Sequence, residues 1–144
     1  MPIGRFTPHQ LPKYPHLTGL DKLIWDRYML KNDLGFTSFD YDVHVGDGEI
    51  APNNLEPPMQ KMWSSVTQKR IDVIGYKSDT ATIIEIKSFP TCGVIGQILA
   101  YKELYIKSYA PSWGVELLMI ANVCSRDIIY CLNQFNIPHI LIQI

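Results

Sequence analysis

Asp72, Glu85 and Lys87 are the residues of this chain whose types and spacing could do chemistry together. They lie in KRIDVIGYKSDTATIIEIK, residues 69–87. Two runs rich in β-branched residues, 69–77 and 81–88, flank the polar turn Lys77-Ser78-Asp79-Thr80, a pattern that predicts a β-hairpin. Closing the loop symmetrically about Ser78-Asp79 pairs Tyr76 with Ala81 and, counting inward, sets Asp72 opposite Glu85. Opposed residues carry their Cβ atoms about 4.5–5.5 Å apart on one sheet face. The strand period of two puts Lys87 on the face of Glu85, with Ile84 and Ile86 on the other. Two carboxylates so placed repel, and the same register opposes Arg70 with Lys87, a second like-charge pair. A divalent cation between Asp72 and Glu85 relieves the first conflict. A small set of oxygen ligands suits Mg²⁺ or Mn²⁺, which keep waters and take up phosphate oxygens. A lysine beside such a site can orient an attacking water or stabilise charge on a scissile phosphate. The alternative is a solvated hairpin face, where acids and bases need no function.

The next element must bring further groups to the hairpin's end. Pro90 ends the second run and Gly93 opens a helix over residues 94–109, with Ile95, Ile98, Leu99, Leu104, Tyr105 and Ile106 as its apolar contacts. Gln97 and Tyr101 stand four apart and therefore share one helical face. Tyr101, Tyr105 and Tyr109 form a ridge that either closes the core or subunit contact, or stacks on bases.

Asp-x₁₂-Glu-x-Lys on a hairpin, followed by Gln97-Ile98-Leu99-Ala100-Tyr101 on a helix, resembles the PD-(D/E)XK nuclease superfamily and the Gln-x-x-x-Tyr motif of its RecB-like branch. The motif-bearing match covers residues 69–105. The resemblance implies an α/β restriction-endonuclease-like fold and hydrolysis of DNA phosphodiester bonds, in endo or exo mode. It implies that Asp72 and Glu85 hold Mg²⁺ or Mn²⁺ with the Ile86 carbonyl assisting. Lys87 would position or activate water, and Gln97 and Tyr101 would support the site or contact DNA. Members of the superfamily also draw an acid from a helix before the hairpin, for which Asp21 and Asp26 are the candidates; a surface ion pair is the simpler reading for either. Some RecB-like relatives carry an iron–sulfur cluster on four cysteines, and the three cysteines here are too few. The chain is also similar to small proteins of tailed phages. That implies a DNA-processing role in the cytoplasm of an infected bacterial host, or association with the virion.

The chain's 144 residues are sized for one domain with a core of its own. A hydrophobic fraction of 47% against 19% charged residues excludes a disordered chain. No apolar run reaches the length of a membrane span, and the proline-punctuated start is unlike a signal peptide. Cys92, Cys124 and Cys131 make no C-x-x-C pair and leave an odd thiol, so a reducing compartment is expected. Thirteen basic and fourteen acidic residues give a net charge of −1, without the basic excess that phosphate binding usually leaves. Lys61, Lys69, Arg70, Lys77, Lys87, Lys102 and Lys107 are the residues from which a local basic patch would be built.

Residues 1–17, with Pro2, Pro8, Pro12 and Pro15, predict an extended arm, either an ordered tail or a grip on a neighbouring subunit. Residues 18–144 are expected to form the single domain. Leu20, Leu23, Ile24, Trp25, Tyr28, Met29 and Leu30 predict a first core helix, with Gly35 as its stop. Residues 37–45 alternate, setting Phe39, Tyr41, Val43 and Val45 on one face and Asp40, Asp42 and His44 on the other. Met59, Met62, Trp63 and Val66 fall at i, i+3, i+4, i+7 and read as the core stripe of a short helix. Residues 115–123 predict an interior strand, Ser125 an N-cap for a helix to Asn136, and residues 139–144 a final strand at a sheet edge open to another chain. The resulting order gives a mixed central sheet flanked by helices. Besides the nuclease, the arm, the edge strand and the near-neutral charge suit a non-catalytic virion connector or neck protein with the nuclease fold as scaffold. DNA, further copies of the chain or a virion assembly are the partners expected.

Overall fold

Runs of β-branched residues give five strands and the helix-period segments between them give four helices, in a computed structural model that describes residues 1–144. In chain order these are α1 (Gly19–Met29), β1 (Ser38–Val45), α2 (Pro57–Thr67), β2 (Lys69–Lys77), β3 (Thr80–Lys87), α3 (Cys92–Tyr109), β4 (Gly114–Ala121), α4 (Arg126–Gln134) and β5 (His139–Leu141). The strands stand in the sheet in sequence order. β1, β2 and β3 form an antiparallel meander, while β3, β4 and β5 run parallel. Each parallel step needs a crossover, and α3 and α4 supply the two. The fold is the expected α/β arrangement with a mixed sheet. Ser125 caps α4 by accepting a hydrogen bond from the Ile128 amide at 3.3 Å.

The β2–β3 hairpin has the register obtained by counting, with Tyr76 opposite Ala81 across a turn that holds Ser78 at φ 52°. Its ladder runs from Lys77–Thr80 to Val73–Ile84 and ends there. Beyond that point β2 stays with β1 as far as Val45–Lys69, and β3 stays with β4 as far as Lys87–Ala121. The expected opposition of Arg70 and Lys87 therefore does not form. Arg70 instead forks onto Asp42, with Nε and Nη2 each donating to a carboxylate oxygen at 2.6 Å.

Each face of the sheet has its own core. Ile74, Ile83, Leu117 and Met119 pack against Ile95, Ile98, Tyr101 and Tyr105 of α3 and against Ile128 and Leu132 of α4. Val73, Ile84, Ile86, Leu118 and Ile120 pack on the other side against Ile24, Trp25, Tyr28 and Met29 of α1. Phe39 and Tyr41 belong to this second core, yet Val45 joins the first and Val43 packs beside it. The simple alternation expected along β1 breaks at Asp42, whose φ of 55° re-aims the strand.

Residues 1–17 are extended, and they close the α1 core of their own domain. Tyr14 and Leu17 are buried among Trp25, Phe39 and Tyr41. The Tyr14 hydroxyl donates to Asp26 at 2.7 Å, and Lys22 donates to the other Asp26 oxygen at 2.7 Å. Phe6 exchanges backbone hydrogen bonds with Phe39, covering the free edge of β1.

Three expectations need correction. α1 ends at Met29, before Gly35, because Asn32 turns the chain at φ 47° and its side chain binds both backbone groups of Phe36. The terminal strand is only His139–Leu141, lying at the sheet edge. The Met59, Met62, Trp63 and Val66 stripe is not core, since no residue of α2 is buried.

Because Tyr14 and Trp25 are both fully buried, truncating either should cost about 3–5 kcal/mol of unfolding free energy. Tyr14→Phe, which loses the bond to Asp26 and the one accepted from the Leu11 amide, should cost about 1–2 kcal/mol. Urea unfolding of the three variants checks the ranking. A tail that merely lay on the surface would leave both Tyr14 variants near wild type.

Candidate active site

The parting of β2 from β3 decides the electrostatics of Asp72 and Glu85. Each belongs to a strand fixed on its far side, so the two side chains meet where the ladder has ended. Both carboxyls sense Asp21 of α1, and both of their charges reach Tyr101 of α3. Glu85 is 1% exposed, and neither of its carboxylate oxygens has a hydrogen-bond partner. Burial pushes its carboxyl up to about 9, with repulsion from Asp72 the second cause. Asp72 keeps some access to solvent. Burial pushes it up to about 6, against the Lys87 charge and the Ile86 amide, both of which favour the carboxylate.

Lys87 lies two residues beyond Glu85 on the same strand, and its charge favours the ionised form of both acids. It makes no ion pair with any carboxylate, so its ammonium is available to a bound anion. Gln97 and Tyr101 do share a face of α3, and Gln97 Nε2 donates to the Tyr101 hydroxyl at 2.7 Å. Tyr101 is buried, and the charges of Glu85 and Asp72 both raise it, after burial itself. All five side chains singled out by the sequence therefore gather at one end of β3.

The helix before the hairpin adds Asp21. Burial raises its carboxyl, while Lys87 and the Ser88 amide favour its charge. Asp26 is turned away, engaged with Tyr14 and Lys22. His16 is folded close enough for its charge to favour the carboxylates of both Asp72 and Asp42. It is exposed and held at φ 66°, a left-handed conformation uncommon outside glycine. Asp40, Asp42 and His44 do not extend the cluster. Asp40 accepts from Tyr76 and Arg5, Asp42 from Arg70, and His44 lies against Gln68. No signal in the sequence distinguished His16, since it is the fold of the arm that brings it here.

A buried carboxylate without donors suits a hard cation. Asp72 and Glu85 supply two such groups, and no three His, Cys, Asp or Glu side chains are grouped as a metal site. An ion held here would fill its remaining positions with backbone carbonyl, water or phosphate oxygens, which is how Mg²⁺ is commonly bound.

No protein-family model matches the chain, and no curated protein matches it. Among solved structures the fold is similar to the crystal structure of a repair endonuclease from Pyrococcus abyssi, with a TM-score of 0.55 and 12% sequence identity. The likeness covers 91% of this chain and 50% of that one, so the chain spans half the length of the endonuclease. At this identity the likeness establishes the fold, a five-stranded mixed sheet with four helices of the kind found in that enzyme.

The raised carboxyls of Asp72 and Glu85 set the sign of the pH dependence. Between the ordinary and the raised values the folded chain holds protons that the unfolded chain has released, so stability falls as pH rises. Without divalent cations, stability should therefore decline from about pH 4 to about pH 9, by up to about 1.4 kcal/mol per pH unit for each titrating carboxyl. Glu85→Gln should flatten the upper part of that slope. Thermal melts across the range in chelator would show a flat wild-type profile if the carboxyls were solvated.

Proposed function

We propose that the chain is a metal-dependent deoxyribonuclease of the PD-(D/E)XK type, hydrolysing phosphodiester bonds at the Asp72–Glu85–Lys87 cluster. The observation that carries this reading is Glu85, an acid buried to 1% exposure with both oxygens unpartnered beside a second carboxylate. A scaffold without turnover gains nothing from that arrangement, which costs stability until something binds. The similarity of the fold to a repair endonuclease supports the same class of chemistry.

Asp72 and Glu85 would hold Mg²⁺ or Mn²⁺, with the Ile86 carbonyl as a third oxygen. When bound, the ion supplies Lewis-acid polarisation of the scissile phosphate and lowers the cost of ionising water. Lys87, free of any ion pair, orients the attacking water or offsets charge developing on the phosphate. Gln97 fixes Tyr101 through their 2.7 Å bond, and Tyr101 packs beside the carboxylates from α3. Asp21 lies close enough on the α1 side for the Lys87 charge to favour its carboxylate. His16 adds a donor on the exposed side of Asp72, where a phosphate would enter.

Cleavage of linear, circular single-stranded and branched DNA should require Mg²⁺ or Mn²⁺. It should fall by about 10²-fold or more in Asp72→Asn, Glu85→Gln and Lys87→Ala. Asp79→Asn, in the exposed hairpin turn, should match wild type. Binding can be read separately: saturating Mn²⁺ should raise the melting temperature of wild type more at pH 8 than at pH 5, and leave Glu85→Gln unmoved. Wild-type protein that neither cleaves nor responds to the ion would overturn the reading.

A further inference from the structure

α2 is built inside out. Its apolar residues Met59, Met62, Trp63 and Val66 recur at i, i+3, i+4 and i+7 and so form one stripe. They are 48%, 56%, 41% and 68% exposed. The side turned to the domain is polar. Gln60 Nε2 donates to the Leu55 carbonyl at 2.9 Å, and Thr67 Oγ1 accepts from the Glu49 amide at 2.7 Å. Just past the helix, Gln68 Nε2 donates to the Gly46 carbonyl at 2.6 Å. Gly48 approaches the Ser64 carbonyl so closely that any Cβ there would collide with it. The orientation is thus fixed by several independent contacts, and the apolar stripe is held outward. An exposed patch of this kind marks an association surface.

We propose that this face binds a second copy of the chain, with α2 packed antiparallel against α2 of the partner across a two-fold axis. An antiparallel pair centred between Met62 and Trp63 is self-complementary. Met59 then meets Val66 of the partner subunit, and Met62 meets Trp63 of the partner subunit. The antiparallel arrangement also brings Glu56, the exposed N-cap, towards the exposed Lys69 of the partner subunit, the first residue of β2 and two positions past the helix end. Two-fold symmetry makes that opposite-charge pair twice. Neither Glu56 nor Lys69 is in an ion pair within its own chain. Nucleic acid fits this face less well, because the one charged residue inside α2 is Lys61, which lies off the stripe. The inference stands apart from the nuclease reading and does not depend on it.

Sedimentation velocity from low- to high-micromolar concentration tests it. Wild type should form a dimer, and Trp63→Glu should weaken it by roughly thirty-fold or more, as expected at the centre of an interface. Its circular dichroism should be unchanged, since the side chain lies at the surface. Glu56→Lys and Lys69→Glu should each weaken the dimer, and the double charge swap should restore it. A monomeric wild type at high-micromolar concentration overturns the proposal, as does a dimer indifferent to Trp63→Glu. A double swap that fails to restore association overturns the antiparallel pairing. A monomer whose affinity for single-stranded DNA falls in Trp63→Glu assigns the face to nucleic acid instead.

Discussion

The constraint on which the structure depends is the end of the β2–β3 ladder at Val73–Ile84. A hairpin that continued in register would press Asp72 against Glu85 and Arg70 against Lys87. The strands part instead, and each half finds another partner. β2 follows β1, where Asp42 takes the Arg70 guanidinium in a two-pronged bond. β3 follows β4 in parallel pairing to its last residue. The fork leaves the two carboxylates facing one another at the carboxyl end of β3. The kink of β1 at Asp42 is part of the same solution, since it lets the arginine be neutralised without reaching across to the site.

Around that fork the two acids are treated differently. Asp72 retains solvent, the Ile86 amide and the nearby charges of Lys87 and His16. Glu85 is buried, neither of its oxygens is in a formed hydrogen bond, and the Asp72 amide is the one backbone group that favours its charge. A purely structural glutamate would be expected to have hydrogen-bond partners, because burying an unpaired charge is among the costliest local choices a fold can make. Glu85 resolves the cost in the free chain by staying protonated, which is what its raised pKa expresses. Any ion that enters must displace that proton, so occupancy and pH are linked through this one side chain.

Much of this was legible in the sequence because short-range geometry governs it. The turn at Ser78-Asp79 fixed the count that set Val73 opposite Ile84, one pair short of Asp72 and Glu85, and the helical period placed Gln97 beside Tyr101. What could not be read depends on rotation and long-range packing. Asp21 and Asp26 are five apart on α1, about 140° around the axis, so only one can face β3. The choice is made by Tyr14 of the arm, which claims Asp26. His16 reaches the cluster only because Tyr14 and Leu17 on either side of it are pinned in the core. For α2 the period correctly predicted a stripe but carried no information on which way it would point. Hydrogen bonds from the loop before α2 decided that.

The outward stripe of α2 and the unpartnered Glu85 are errors of opposite kind, apolar groups left in water and a polar group left dry. Local choices that contradict the rest of a fold mark places where a partner is missing. Here the two are joined by a short path. α2 ends at Thr67, Gln68 anchors the chain to Gly46, and four residues later β2 delivers Asp72. Anything that clamps α2 from outside therefore also fixes the start of the strand that carries the more exposed of the two acids. Glu85, set deep on β3 and held by β4, is positioned without that help. Asp72, whose strand is fixed on its far side by β1, follows directly from the element that the domain leaves uncovered.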